Sequence, residues 1–145
     1  MAAFSPQWPL TLYYDGECPL CVREIRMFRR RNATDRLQLI DISQPETEPL
    51  PGRSRNDMLD CLHAQFADQR LVTGIDATYW SYRAVGLGWL VRPLRWRWAR
   101  PFWQAAYRGF CRLRPGLAKL IPMPAEERCG SGQCDITREQ TDSKK

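Results

Sequence analysis

The run Asp15-Gly16-Glu17-Cys18-Pro19-Leu20-Cys21 holds the residues whose type and spacing most plainly do chemistry. Thiols at i and i+3 on one helical turn can close a disulfide within a small ring. A cysteine at a helix N-terminus meets unpaired backbone N–H groups and the positive end of the helix dipole, which stabilise a thiolate. Cys18 is therefore expected to be the exposed nucleophile, and Cys21, one turn further in, the buried resolving thiol. The Cys18 thiolate would attack a substrate disulfide, and Cys21 would then displace the reduced product from the mixed disulfide. Asp15 is a candidate proton acceptor or cap, although it and Glu17 oppose activation, because nearby carboxylates raise a thiol pKa. Gly16, Glu17, Pro19 and Leu20 flank the thiols as the expected substrate contacts. A bare C-x-x-C also occurs in metal sites, so a non-catalytic thiol module for zinc or copper(I) is the competing reading.

The elements around the pair favour redox chemistry. Leu10 to Tyr14 is β-branched and aromatic enough for a strand, and Asp15-Gly16 ends it. Pro19 suits a first helical turn, and Cys21, Val22, Ile25 and Phe28 recur at helical spacing. Arg29, Arg30 and Arg31 suit the negative end of that helix, with Asn32 as its stop. A second strand follows from Leu37 to Ile42, making a right-handed βαβ unit with parallel strands. Residues 43–53 form a Pro-rich loop, and Arg53 to Asp60 a short helix. Leu62 to Phe66 and Arg70 to Thr73 read as a hairpin, and Asp76 as the cap of a helix through Val85. The order β-α-β-(α)-β-β-α is that of an α/β, thioredoxin-like fold. Two helical runs, Trp89–Ala99 and Phe102–Leu113, are expected to extend it, with Pro115 ending regular structure. The expected organisation is a core at 8–86, a basic Trp-rich helical extension packed on it at 87–124, and a mobile tail at 125–145.

The other cysteines divide in two. Cys61 and Cys111 sit among apolar neighbours and are expected to be small buried hydrophobes. Cys129 and Cys134 bracket Gly-Ser-Gly-Gln, which could close a loop as a secondary dithiol relaying electrons to Cys18 and Cys21. The same four thiols could instead form a zinc site, or the tail pair could have no role. His63, the only histidine, is expected to be structural, and its solitude excludes a multi-histidine metal centre.

The chain has 145 residues, 43% hydrophobic and 26% charged, which suits one globular domain. Its net charge of +6 is unevenly spread. Residues 77–125 hold nine basic groups and no acid, while residues 1–76 hold 9 basic and 11 acidic groups. Within the basic stretch, Arg92 to Trp103 interleaves arginine with tryptophan. One face of that run is expected to pack on the core while arginine stems reach outward. Contact with an anionic membrane or a protein is the rival, and nucleic acid is not expected. The N-terminus has neither a basic n-region nor an apolar h-region, and no stretch suits a spanning helix. The expected location is the cytoplasm, at most peripheral to the inner membrane surface, where a cysteine pair more often serves redox or metal chemistry than a structural disulfide.

Tyr14-Asp15-Gly16-Glu17-Cys18-Pro19-Leu20-Cys21 resembles the D-G-x-C-x-x-C opening of the DCC family of predicted thiol-disulfide oxidoreductases. The Asp and two Cys of that name correspond to Asp15, Cys18 and Cys21. Thr73-Gly-Ile-Asp76-Ala77 is similar to the family's G-x-x-A step into a helix. Tyr107 to Arg114 is similar to its closing Tyr…Ala-Arg-x-Arg stretch, with Cys111 in place of Ala. The resemblance covers roughly residues 10–115. It implies a protein-disulfide reductase type of activity without bound cofactor or metal, acting on a disulfide-bearing protein or small thiol, with an unidentified electron donor. A third reading, a membrane-surface adaptor, needs no turnover. Thioredoxins also place a cis-proline before the third strand, facing the cysteines. Asn56 to Cys61 contains no proline, so substrate docking must differ here.

Overall fold

The computed structural model describes residues 5–120. Its elements run β1 (Leu10–Tyr14), α1 (Pro19–Arg31), β2 (Leu37–Asp41), α2 (Arg55–Asp60), β3 (His63–Phe66), β4 (Leu71–Thr73), α3 (Gly74–Ala84), a 3-10 turn (Arg92–Arg95) and α4 (Arg100–Leu120). The sheet order is β2-β1-β3-β4. β1 pairs parallel to β2, with Leu10 opposite Leu37, and antiparallel to β3, with Leu10 opposite Phe66. This mixed α/β arrangement is compatible with a thioredoxin-like fold.

β1 is an interior strand, paired on both edges, and is buried on both faces. Leu10, Leu12 and Tyr14 point into one core with Ile25 and Phe28 of α1 and Ala77 and Ala84 of α3. Tyr13 points the other way, to Ile42, Leu50 and Met58 of α2. The period-two alternation of a strand thus serves two layers at once. Deleting the Phe28 ring would cost about 3–5 kcal/mol, the usual range for a buried aromatic.

Local chemistry fixes the connections. Pro19 opens α1, and Arg29, Arg30 and Arg31 fill its last turn. Asn32 then clamps the entry to β2, donating to the Leu37 carbonyl at 2.6 Å and accepting its N–H at 3.2 Å. Ser54 and Asp57 form a reciprocal capping box at the start of α2. The Arg55 guanidinium gathers the Pro-rich loop by donating to the carbonyls of Ile42, Gln44, Pro45 and Thr47.

Three expectations fail downstream. Asp76 does not cap α3. The N-cap is Thr73, Gly74 begins the helix at φ +58°, and Asp76 lies in the first turn, paired with Arg100 at 3.1 Å. Residues 89–99 hold only the short 3-10 turn and no α-helix. Val91 and Ala99 are buried there, and Leu87 just before them, so the segment is anchored at a few points along an irregular path. Pro115 does not end regular structure either, since α4 runs through it to Leu120. Proline's fixed φ is helical, and at this position it forfeits one backbone hydrogen bond.

Candidate active site: a dithiol under an arginine from the last helix

Cys18 is the N-cap of α1, in extended conformation, so the chain leaving β1 turns into the helix at the thiol itself. Its N–H donates to the Asp15 carbonyl at 3.3 Å. The Glu17 N–H donates to the Asp15 carboxylate at 3.0 Å. The Gly16 N–H donates to Oδ1 of Asp41 at 2.9 Å, from the end of β2. A Cβ on Gly16 would lie 1.9 Å from Oδ2 of Asp41, so only glycine allows this approach. Asp41 is buried and also takes the Ser43 N–H at 2.9 Å, the Ser43 hydroxyl at 2.6 Å and the Gln44 amide at 3.1 Å. The parallel pairing of β1 and β2 brings this carboxylate to the turn, and local sequence contains no sign of it.

Arg114, near the end of α4, closes the site from above. Its guanidinium is 3.2 Å from the Asp15 carboxylate and 3.8 Å from the Cys21 sulfur, and it donates to the Leu59 carbonyl at 2.5 Å. The pair is well shielded, with side-chain exposures of 16% for Arg114 and 17% for Asp15. Burial opposes the charge on Arg114, but the thiols and Asp15 together raise its pKa. By sequence Arg114 falls in the closing family motif and in a basic cluster from Arg108 to Lys119 expected to face solvent; it is instead shielded, and its 99-residue separation from Asp15 hides the contact from local pattern.

The two sulfurs have opposite acidity. Cys18 is lowered from 9.0 to about 6, first by a hydrogen bond from the Cys21 thiol, then by the Cys21 and Leu20 backbone and the Arg114 charge, against burial. Cys21 is raised because its S–H donates a hydrogen bond to the Cys18 sulfur, with burial and the negative charge of Cys18 adding to the effect. The site thus resolves into one thiolate and one retained thiol, both unbridged.

Several expected residues are placed differently from the sequence reading. Cys18 is 4% exposed, whereas Cys21 is only partly buried, which reverses the expected order of exposure. An N-cap turn packed between β1, Asp41 and α1 leaves little surface at the thiol. Asp15 is not a cap of α1, because Cys18 holds that position and the Asp15 carboxylate serves Glu17 and Arg114. Of the flanking residues, Gly16 and Pro19 are buried and shape the turn, whereas Glu17 is exposed and Leu20 partly so. The peptide between Trp8 and Pro9 is cis, but it precedes β1 rather than β3. At the entry to β3, the Leu62 N–H donates to the Tyr107 hydroxyl of α4 at 3.1 Å.

Cys61 and Cys111 are not the fully buried hydrophobes expected. Both are partly exposed on an open cavity of about 680 Å³, together with Gly74, Tyr107, Arg108 and Arg112. The Cys61 sulfur is 4.0 Å from the Tyr107 hydroxyl, which also hydrogen-bonds Cys111. Burial is the main reason the Cys111 thiol is raised. His63 is buried in β3, with Nδ1 2.6 Å from the Cys61 carbonyl. Cys129 and Cys134 lie outside the described residues, as do the relay and the four-thiolate site that would use them. Among the described residues, no group of three or more His, Cys, Asp or Glu is arranged to hold a metal ion.

An uncharacterised chloroplastic protein of Arabidopsis thaliana is 36% identical over 90 residues, which cover 59% of this chain and 42% of the relative. The chain therefore spans about two fifths of that relative's length. No solved structure is a significant match. The family model for DCC1-like thiol-disulfide oxidoreductases matches residues 12–120, a span that contains Asp15, Cys18, Cys21 and Arg114. The chain belongs to the DCC1-like thiol-disulfide oxidoreductase family.

Proposed function

We propose that Cys18 and Cys21 carry a protein-disulfide reductase type of thiol-disulfide exchange. The observation behind this reading is the Cys18 sulfur at the N-cap of α1, one turn from the Cys21 thiol, with Arg114 3.8 Å from the Cys21 sulfur. In the forward step the Cys18 sulfur attacks one sulfur of the substrate disulfide. A Cys18 mixed disulfide forms, and the other substrate sulfur leaves as a thiolate and takes a proton from solvent. Cys21 then loses its proton, with Asp15 as the acceptor on the protein, and attacks the Cys18 sulfur. The second substrate thiol leaves, and the Cys18–Cys21 disulfide remains. Two electrons pass from the protein dithiol to the substrate, and an external dithiol must return them. Glu17 and Leu20, which reach solvent, are the flanking residues available to touch substrate.

The test is reduction of insulin disulfides, driven by a dithiol reductant, with wild type, Cys18→Ser and Cys21→Ser. The expected result is turnover by wild type, none by Cys18→Ser, and a trapped mixed disulfide in Cys21→Ser detectable by mass. Equal rates in all three would overturn the mechanism.

A further inference from the structure

The large apolar side chains that are exposed among the described residues all fall between residues 89 and 120. Trp89 is 68% exposed, Trp96 53% and Trp98 78%, beside exposed Leu90 and Phe102. This is not a frayed segment. Leu87, Val91 and Ala99 anchor it in the core, and the 3-10 turn at Arg92–Arg95 shapes it. Of the run expected to lay one face on the core, Val91 and Ala99 are buried while Trp89, Trp96 and Trp98 stand outside. Soluble monomers rarely expose contiguous aromatic surface without using it. The indoles of Trp96 and Trp98 stack with centroids 5.6 Å apart and planes 24° apart, giving a flat, rigid projection. Arg92, Arg95 and Arg97 are exposed among them, Arg100 pairs with Asp76, and no acidic residue occurs from 77 to 125.

We propose that residues 89–102 form a docking surface for an anionic lipid bilayer, independent of the dithiol chemistry. Indole rings favour the boundary between headgroups and acyl chains, where the ring is apolar and its N–H can still meet water. Arginines interleaved with them pair with lipid phosphates, and a segment free of carboxylates meets no repulsion from an anionic leaflet. Stacking and phosphate contact would also suit a single-stranded nucleic acid. The apolar complement argues for lipid, because Leu90 and the outward stripe of α4, Phe102, Phe110, Leu113, Leu117 and Leu120, match hydrocarbon rather than bases. No helix among the described residues is long and apolar enough to cross a membrane, so the contact lies on the surface.

The test is co-sedimentation of the full chain with phosphatidylcholine vesicles, with and without phosphatidylglycerol, across a salt series. The expected result is binding at least about tenfold stronger to the anionic vesicles, weakening as salt rises. Arg92→Gln and Arg97→Gln should each lower binding by roughly fivefold. The double variant Trp96→Ser, Trp98→Ser should lose most of the lipid-induced blue shift in fluorescence, and Cys18→Ser should bind as wild type. Brominated lipid should quench wild-type tryptophan emission, a readout that needs no variant. Three results would overturn the proposal: equal binding to neutral and anionic vesicles at all salts, tighter retention by a single-stranded oligonucleotide than by anionic vesicles, or self-association that shields the tryptophans without lipid.

Discussion

Two thiol pairs meet α4 in this protein, and the helix gives each a different nearest partner. At Cys18 and Cys21 it contributes Arg114, a cation that favours ionised sulfur. At Cys61 and Cys111 it contributes Tyr107, a neutral hydroxyl within reach of both sulfurs, and Cys111 is raised by burial. Cys18 also has the open N-terminus of α1, whereas Cys61 sits at the C-cap of α2, where no row of free N–H groups faces it. Proximity of two thiols is common to both pairs. The acidities of Cys18 and Cys111 move in opposite directions because the charges, dipoles and burial around each pair differ.

The largest expected effect is on alkylation. With Cys18 near 6 and an ordinary thiol near 9.0, about nine tenths of Cys18 and about one hundredth of an ordinary cysteine are ionised at pH 7. Iodoacetamide should therefore label Cys18 roughly a hundredfold more completely than Cys111 in short pulses, after allowance for access. Peptide mapping across pH 4 to 10 checks this (roughly six units spanning both transitions). The sign for stability follows from the same depression. The reduced protein should gain stability relative to Cys18→Ser as pH rises from about 6 towards 9.0, and lose that gain as pH falls through about 6. Cys111 labelled at pH 7 as fast as Cys18 would erase the distinction between the pairs.

Removing the arginine should bring the Cys18 and Cys21 pair closer to Cys61 and Cys111 in acidity. Arg114→Gln deletes the cation beside Cys21, so the Cys18 titration should move up, and a rise of about one unit would lower disulfide exchange at pH 7 about twofold. Arg114→Lys should restore much of the lowered titration, since it keeps the charge but not the forked contact to Asp15 and Leu59. A shift in the pH profile separates this role from a purely structural one. An unchanged profile with reduced stability would leave Arg114 as packing alone.

How much of this was legible in the sequence follows from how far each contact reaches. β1, α1 and the hairpin are written in local signals: Asp15-Gly16 after a β-branched strand, Pro19 before the Val22–Ile25–Phe28 stripe, and polar residues between Phe66 and Leu71. Cys18 at a helix start was legible for the same reason. The groups that complete the site were not. Asp41 reaches Gly16 through a parallel pairing, and Arg114 reaches Asp15 from the far end of the described chain. Neither residue differs locally from an ordinary surface charge. The segment 89–99 was misread because its apolar residues fit a helix pattern while only Val91 and Ala99 find a core to enter. Gly16→Ala probes the non-local part directly. Its Cβ would collide with Asp41, so a loss of about 1–3 kcal/mol in stability, measured by urea unfolding, is expected.

The smallest effect should come from the other pair. Tyr107→Phe removes one hydroxyl that accepts the Leu62 N–H and lies near both Cys61 and Cys111. The ring remains against Gly74, where a Cβ would lie 3.3 Å from it, so packing is kept. The Leu62 N–H is left without its acceptor, which should cost about 1–2 kcal/mol in urea unfolding. Disulfide exchange by Cys18 and its alkylation profile should stay as in wild type, because the cation on α4 is untouched. A Cys18 titration that moved with Tyr107→Phe would mean that the two pairs are coupled through α4, and that the helix tunes them as one unit rather than two.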